Sequence, residues 1–436
     1  MRTLEKKIYV NLRKEFSMNT KKKIFFSVMS LGLLVSVIMA LITRGDVWWE
    51  QIFQHDKTDV FMDFFHSMTD SAHENPYSYG VLYPPITYVF YRFMSFFIPE
   101  NVVKVGGKIL RENYASLMVF FFYTVFSVLA FAAIIRGLYK DKKTQSLLIV
   151  LLIMSGPFLF MAERGNSVII AFVFAGIFFL WKDSDNKIKK EIALMALGFS
   201  FGIKIYPAVF GLILLKDKKY KEAIRCILYA LVIFFVPFLL IGGIGAVGQF
   251  FNGITHNIDK EGTVQAGIGY KISFQSTYVA LSAIFLRIQN TEAFMGLTSW
   301  FGHFTAGLTL LCAVLSKKRW QTVALLCCFM LGWPGFSYQY MLIFMAIPLT
   351  MFLQEEKKFD LLDLCYTVLF IFQFVLFTIN IITVAYLAGG VCLMKFLNLV
   401  ENCGLMGMTW LLIIEVFVRF FKEGYVKKPV KALKKA

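Results

Sequence analysis

The sequence predicts an all-α polytopic membrane protein, and three observations carry that fold class. The chain of 436 residues is 58% hydrophobic and only 17% charged, where a soluble domain carries roughly a quarter charged residues. Uncharged apolar runs recur from residue 24 to residue 421, several of them close to the ~20 residues a bilayer-crossing helix needs. Positive charge gathers in the short breaks between those runs, as topology signals do. A β-barrel would instead show short alternating strands. The net charge of +17 does not point to nucleic acid, because it is spread as loop and terminal charge.

The elements follow in order. Residues 1–23 carry eight Lys/Arg and read as a cytoplasmic basic N-terminus. Residues 24–43 form an apolar run without a small-residue cleavage site, so an uncleaved first helix is expected rather than a signal peptide. Further runs cover about 114–135, 145–162, 167–181, 192–203, 207–215, 226–241, 297–315, 321–333, 338–353, 361–381 and 404–421. The basic breaks at 136–143, 181–191, 216–225, 317–319 and 355–360 belong on the cytoplasmic side. The tail 422–436, with six lysines, joins them there. The run 82–98 stays outside as an interfacial segment, since a span there would put 136–143 on the wrong side. Its Arg92 also suits an interface better than hydrocarbon. Residues 382–403 are partly interfacial by the same logic. The expectation is about 12 transmembrane helices in one membrane domain, 24–421, with both termini cytoplasmic. Two outer loops interrupt it: 44–113 and 242–296. Gly-Pro at 156–157 and Tyr-Pro at 206–207 break spans, which lipid tolerates only where a cavity or protein satisfies the freed backbone. Seven cysteines fall almost entirely in apolar runs without metal-like spacing, and read as small core residues.

Two charge patterns stand out. The turns "ERGN" (163–166) and "KIYP" (204–207) place Arg164 and Lys204 on the outer side, near membrane depth. An anion there would offset the cost of a buried cation, and a lipid phosphate suits both donors. The plainer reading is that Arg164 pairs with Glu163 or another acid and Lys204 snorkels to water. The first outer loop is acidic: residues 44–80 hold Asp46, Glu50, Asp56, Asp59, Asp63, Asp70 and Glu74. Asp59 and Asp63 share one helix face at i, i+4 among Val60, Phe61, Met62, Phe64 and Phe65. A carboxylate on apolar surface is a candidate general base near neutral pH, although a solvated acidic face is the ordinary alternative. His55, His66 and His73 could join aspartates at a metal. They lack a tight ligand pattern, and no metal site is expected.

The order of further motifs resembles a known family. "NPYSYG" (75–80) and "YPPITYVFYRFMSFFIP" (83–99) are followed by "ERGNSVIIAFVFAGIFFL" (163–180). "GIKIYPAVFGLILLKDKKYK" (202–221) and "WPGFSYQY" (333–340) come after. This succession is similar to bacterial glycosyltransferase family 87, polyprenyl-phosphate-dependent mannosyltransferase-like proteins of the GT-C superfamily, across most of residues 45–350. The resemblance implies a GT-C-type fold whose first extracytoplasmic loop carries interfacial helices. It implies transfer of a hexose, mannose by family habit, from a polyprenyl-phosphate-linked donor to an extracytoplasmic glycan or glycolipid, with inversion. An aspartate of the first loop would be the general base. Asp63 fits the Asp-Phe pattern, Asp59 fits the distance to Pro76-Tyr77, and Asp46 is a third choice. Arg164, Gly165 and Asn166 resemble the family's Arg/Gln-Gly-Asn turn. Lys204, Tyr206 and Pro207 resemble its Lys-Pro-Tyr-Pro turn, with Ile205 in place of the first proline. Arg164, Lys204, Asn166 and Tyr206 are therefore the donor-phosphate candidates. Tyr83, Gln275, Ser276, Gln339 and Tyr340 are substrate-binding candidates. The histidine many relatives carry after the late Ser-Pro motif is missing here, with Gln339 or Tyr340 in its place. No cofactor is implied, because the lipid-linked sugar is a substrate. The setting implied is a bacterial plasma membrane with the active site on the outer face. A transporter or flippase of lipid-linked sugars remains open, as does a polymerase of glycan repeats.

Overall fold

The computed structural model describes residues 20–51, 59–261, 271–286, 292–333, 337–376, 384–387, 390–394 and 396–426. The basic start, the last residues of the tail, His55, Asp56 and the 334–336 part of the late motif lie outside these. Helix α1, Thr20–Ile42, comes first, and a short α2, Asp46–Gln51, turns off its end. The described residues 59–113 then build small helices: α3 (Met62–Ala72), α4 (Pro85–Ser95), α5 (Glu100–Val103) and α6 (Gly107–Glu112). A 3₁₀ turn, Pro76–Tyr79, sits between α3 and α4. The 11-residue α4 is about 16 Å long at 1.5 Å per residue, about half a hydrocarbon core. Its 82–98 segment therefore does not cross as a single helix.

Asn113 starts α7, Tyr114–Leu138, by accepting from the Ala115 and Ser116 N–H groups at 3.0 and 3.2 Å, as an N-cap side chain does. Asp141 caps α8, Lys142–Ile153. A 53° bend leads into α9, Gly156–Arg164, at the Gly-Pro pair. Pro at the first turn suits a new helix start and cannot continue the old one. α10 (Val168–Trp181), α11 (Lys187–Ile203), α12 (Leu212–Lys216), α13 (Tyr220–Phe235) and α14 (Gly245–Glu261) follow, with a 3₁₀ turn Tyr206–Gly211 before α12. The later half comprises α15 (Phe274–Leu286), α16 (Glu292–Leu315), α17 (Arg319–Gly332), α18 (Ala346–Gln354), α19 (Leu361–Phe374) and α20 (Phe396–Val426). Among the described residues five helices are long and apolar enough to cross a membrane, or six with the bent pair counted as one span. Five shorter apolar helices accompany them.

One stretch departs from the helical expectation. The run 361–381 keeps its helix only to Phe374, and Val384–Leu387 pairs with Gly390–Met394 as the antiparallel strands β1 and β2. Apolar content alone does not separate strand from helix. Helix α20 in turn begins at Phe396, earlier than the run 404–421 suggests.

The core runs between the long helices, and the segment 59–113 packs against it. Phe64, Phe65 and Met68 of α3 are fully buried. The Phe64 ring meets Tyr91, Phe120 and Tyr123 at 5.5, 5.3 and 4.9 Å. Each buried aromatic contributes about 1.5–3 kcal/mol, and each ring pair about 0.5–1.5 more. Arg92 ties the loop together: it donates to Ser71 O (2.8 Å) and His73 O (2.7 Å) at the end of α3 and to Leu240 O (3.0 Å). Thr87 donates to Ile203 O at 3.0 Å, fixing α4 to the last turn of α11. On the opposite side, Arg319 pairs with Asp217 at 2.8 Å and Lys219 with Asp183 at 2.5 Å. Those pairs draw the basic breaks into one charged layer.

Candidate active site

The site forms where α3 meets the turns that close α9 and α11. Phe61 adopts a left-handed conformation (φ 64°) immediately before α3, a costly state for a bulky residue. Its N–H donates to Glu163 O at 3.1 Å, and its ring lies 4.4 Å from Phe120. Those contacts hold the strained entry to α3 against the end of α9. At that end Gly165 takes φ 62°, the left-handed cap that glycine adopts most cheaply. An added Cβ there would meet Phe120 Cε2 at 2.6 Å and Phe64 Cβ at 2.7 Å.

Arg164 then reaches both acids. Nη1 bonds the Asp59 carboxylate and, at 3.0 Å, the Asp59 carbonyl; Nη2 bonds the Asp63 carboxylate. The pairing with "another acid" is the one found, and Glu163 is not the partner. The arginine side chain is 10% exposed, Asp63 19% and Asp59 34%. Asp63 is thus the more enclosed carboxylate, and Asp59 the more solvated one.

Asn166 completes the hold on Asp63. Its Oδ1 accepts from the Val168 N–H at 3.0 Å, which fixes the amide's orientation. Nδ2 therefore faces Asp63 Oδ2 at 2.7 Å, with Tyr83 Oη and Tyr340 Oη each at 3.2 Å. The backbone is pinned as well: Tyr91 and Tyr123 donate to Gly165 O (3.5 Å) and Asn166 O (2.9 Å). Lys204 enters from the far wall. It is 7% exposed, its Nζ stands 3.7 Å from the Tyr83 ring centroid, and it feels the Asp63 charge. It forms no ion pair among the described residues, so its charge is met by an aromatic face and by Asp63 at longer range. Burial, then the Asp63 charge, holds the Tyr83 phenol well above its usual range, so Tyr83 stays neutral. Tyr206 opens the 3₁₀ turn after Lys204 and lies within electrostatic reach of Tyr83. Tyr340 stacks on Phe160 at 5.6 Å, which seats its hydroxyl beside Asn166.

Asp59, Asp63, Tyr83, Arg164, Asn166, Lys204, Tyr206 and Tyr340 are thus brought together. Gln339 is buried one residue before Tyr340. Ser276 is committed elsewhere: it and Ser273 bond each other's N–H at 3.0 Å to start α15. Gln275 lies on the same turn against Gly302 of α16. Asp46 is exposed on α2, apart from this cluster. Sequence reasoning missed Tyr91 and Tyr123; tyrosines in apolar helices were their only signal. Among the described residues no group of three His, Cys, Asp or Glu side chains is placed to hold a metal ion.

The fold and site define a polytopic helical membrane protein in which α3 and the segment before it bring two carboxylates to a cluster of buried cations and tyrosines. The family model for glycosyltransferase family 87 matches residues 82–334, and the chain belongs to that family. It is a membrane glycosyltransferase. No curated protein matches the chain.

Proposed function

We propose that the protein transfers a hexose, mannose by family habit, from a polyprenyl-phosphate donor to a hydroxyl of an extracytoplasmic glycan or glycolipid. The fold is of the GT-C type. The five long helices and the bent pair support six of its about 12 crossings, and the shorter apolar helices are the candidates for the rest. Both termini are cytoplasmic, and the chamber opens on the outer face of a bacterial plasma membrane.

The observation that carries this reading is an Asp63 oriented by two donors in the same cluster as Lys204, a buried cation that forms no ion pair among the described residues. Asp63 is the general base: it takes the acceptor hydroxyl's proton as that oxygen bonds to the anomeric carbon. The bond from that carbon to the phosphate oxygen breaks on the opposite face, which inverts the centre. Lys204 meets the charge that grows on the departing polyprenyl phosphate, where a preorganised cation in a water-poor site is most effective. Both terminal nitrogens of Arg164 are occupied by carboxylates, so Arg164 positions Asp59 and Asp63 and contributes its charge to the phosphate only at longer range. Asn166 sets the rotamer of Asp63. Tyr206 and Tyr83 line the phosphate end; Tyr340 and Gln339 line the sugar end. Gln275 and Ser276 act at a distance, by shaping the start of α15. A flippase of lipid-linked sugars would use Lys204 in the same way, but would not need a carboxylate held by two donors.

The test uses purified protein and short-chain polyprenyl-phosphate hexoses, with polyprenyl phosphate release as the readout. Wild type should release it and Asp63→Asn should not. Undiminished release by both Asp63→Asn and the Asp59→Asn/Asp63→Asn double variant would refute the general-base role. Absence of release from wild type with every hexose donor would favour the flippase.

A further inference from the structure

Away from the catalytic cluster, an acid stands alone inside the helix bundle. Glu401 of α20 is fully buried, and neither of its carboxylate oxygens takes a hydrogen bond among the described residues. Gln373 of α19 is fully buried as well and packs on Gly404, where an added Cβ would meet the Gln373 Cγ at 3.1 Å. Its Nε2 donates to Gly404 O at 3.2 Å, which fixes the amide's orientation. Its Oε1 is left without a partner among the described residues. Glu401 and Gly404 are i, i+3 neighbours on one helix face. Three orphan acceptor oxygens therefore gather within about one turn of α20, in an interior where an unsatisfied polar group is costly. An ionisable side chain kept at such a place marks a functional site, and its chemistry follows from what can meet it.

The acid lies at the break between α8 and α9. A Cβ on Gly156 would meet Glu401 Oε1 at 3.1 Å, Leu397 Cδ2 at 3.3 Å and Leu376 Cδ1 at 3.9 Å, so the carboxylate sits against the first residue of α9. Helix α8 ends there at Ile153, and the pair bends by 53°. Pro157 has no N–H to give to the last carbonyls of α8. The carbonyl end of a helix carries partial negative charge, and broken helices with freed carbonyls are where membrane proteins hold small monovalent cations. Charge decides the kind of ion. Glu401 supplies one negative charge, and a divalent ion would leave an unmatched positive charge in a dry interior. Among the described residues no three acids, histidines or cysteines are grouped to hold a divalent metal. A proton would satisfy one carboxylate oxygen, whereas a hard cation gathers carboxylate, amide and backbone oxygens together.

We propose that Glu401, Gln373 and the carbonyl end of α8 form a binding site for a monovalent alkali cation, which pins the α8–α9 bend to α19 and α20. Two structural lines run from there to the catalytic cluster. The nine residues of α9 carry the bend to Arg164 over about 13 Å. On α20, Asn398 and Asn402 flank Glu401 and donate to Lys271 O at 3.5 and 3.0 Å, and Lys271 is bridged to Tyr338, two residues before Tyr340.

Thermal unfolding of the detergent-solubilised full chain tests the site without using catalysis, so it stands or falls apart from the transfer reading. NaCl, KCl and LiCl are each titrated against N-methyl-D-glucamine chloride at constant ionic strength. The melting temperature of wild type should rise by about 2–5 °C toward saturation with at least one of the three. Glu401→Gln keeps the side chain's shape and should lose the response. Gln373→Leu should raise the half-saturating concentration about tenfold, as loss of one contact to a charged group does. A cooperative melt establishes that each variant is folded. A wild type that melts at one temperature in all four salts overturns the site and leaves a proton as the occupant of Glu401. An equal response in Glu401→Gln overturns it as well. Should Glu401→Gln fail to fold, an unshifted half-saturation in Gln373→Leu does the same.

Discussion

Asn166 donates to Asp63 at 2.7 Å and cannot turn away, because its own amide oxygen is held by the Val168 N–H. A carboxylate fixed in this way presents its remaining lone pairs in one direction, and orientation of a base is worth orders of magnitude in rate. Asn166→Ala should lower kcat about 10- to 100-fold while leaving the donor KM within about threefold. Steady-state kinetics with a short-chain donor checks this; a KM effect without a kcat effect would move Asn166 to substrate binding.

Asp63 and Asp59 should separate cleanly. Asp63→Asn removes the base and should cost about 10²–10⁴ in kcat. Asp59 is the more exposed partner of Arg164, and Asp59→Asn should cost no more than about tenfold, through a looser arginine. Parallel measurement of polyprenyl phosphate release decides it, since a reversed order would assign the base to Asp59.

Arg164 is the charge that allows two acids to share the entry to α3. Removing it by Arg164→Ala leaves Asp59 and Asp63 facing each other with one partner gone. Breaking such a pair costs about 3–5 kcal/mol when fully buried; Asp59 is a third exposed, so the lower end is expected. Adding Asp59→Asn to Arg164→Ala should restore part of the loss. Thermal unfolding of the three proteins in detergent measures it, and additive losses in the double variant would contradict the shared-charge account.

Much of this centre was legible in the sequence, and the reason is local. Arg164 and Lys204 are cations in short turns between apolar runs, and Asp59 and Asp63 stand four residues apart; sequence spacing alone brings those out. Spacing could not tell which anion Arg164 meets. That depends on α9 ending where α3 begins, a contact across about a hundred residues of sequence. Arg92 shows the same limit from the other side. Its place on an interfacial helix is readable, but its three carbonyl partners at Ser71, His73 and Leu240 belong to segments that nothing in the pattern links. The helix-to-strand change after Phe374 was hidden because apolar runs look alike whether they coil or extend.

Gly165 should be intolerant of any side chain. It needs positive φ, and a Cβ would collide with the ring edge of Phe120 and with the Cβ of Phe64, which its backbone holds in place. Gly165→Ala should destabilise by about 1–3 kcal/mol and shift Arg164 with it. Both a lower melting temperature and reduced release of polyprenyl phosphate are expected. An unchanged melting temperature would mean that the turn relaxes more freely than the packing of Phe64 allows.

Asp70 should make stability depend on pH in a particular sense. Burial pushes its carboxyl up to about 6 from an ordinary 3.8. Tyr88 from α4 feels its charge, and the His73 N–H donates to its backbone carbonyl. Between pH 4 and 6 the folded protein holds this proton and the unfolded chain has released it. Stability therefore falls as pH rises through that window, and above about 6 the penalty of an ionised, half-buried acid is present in full. Asp70→Asn removes the penalty. The variant should melt above wild type at pH 7.5, the difference should shrink between pH 6 and 4, and it should vanish below pH 4. Equal melting temperatures at pH 7.5 would mean that the carboxylate is well solvated where it stands.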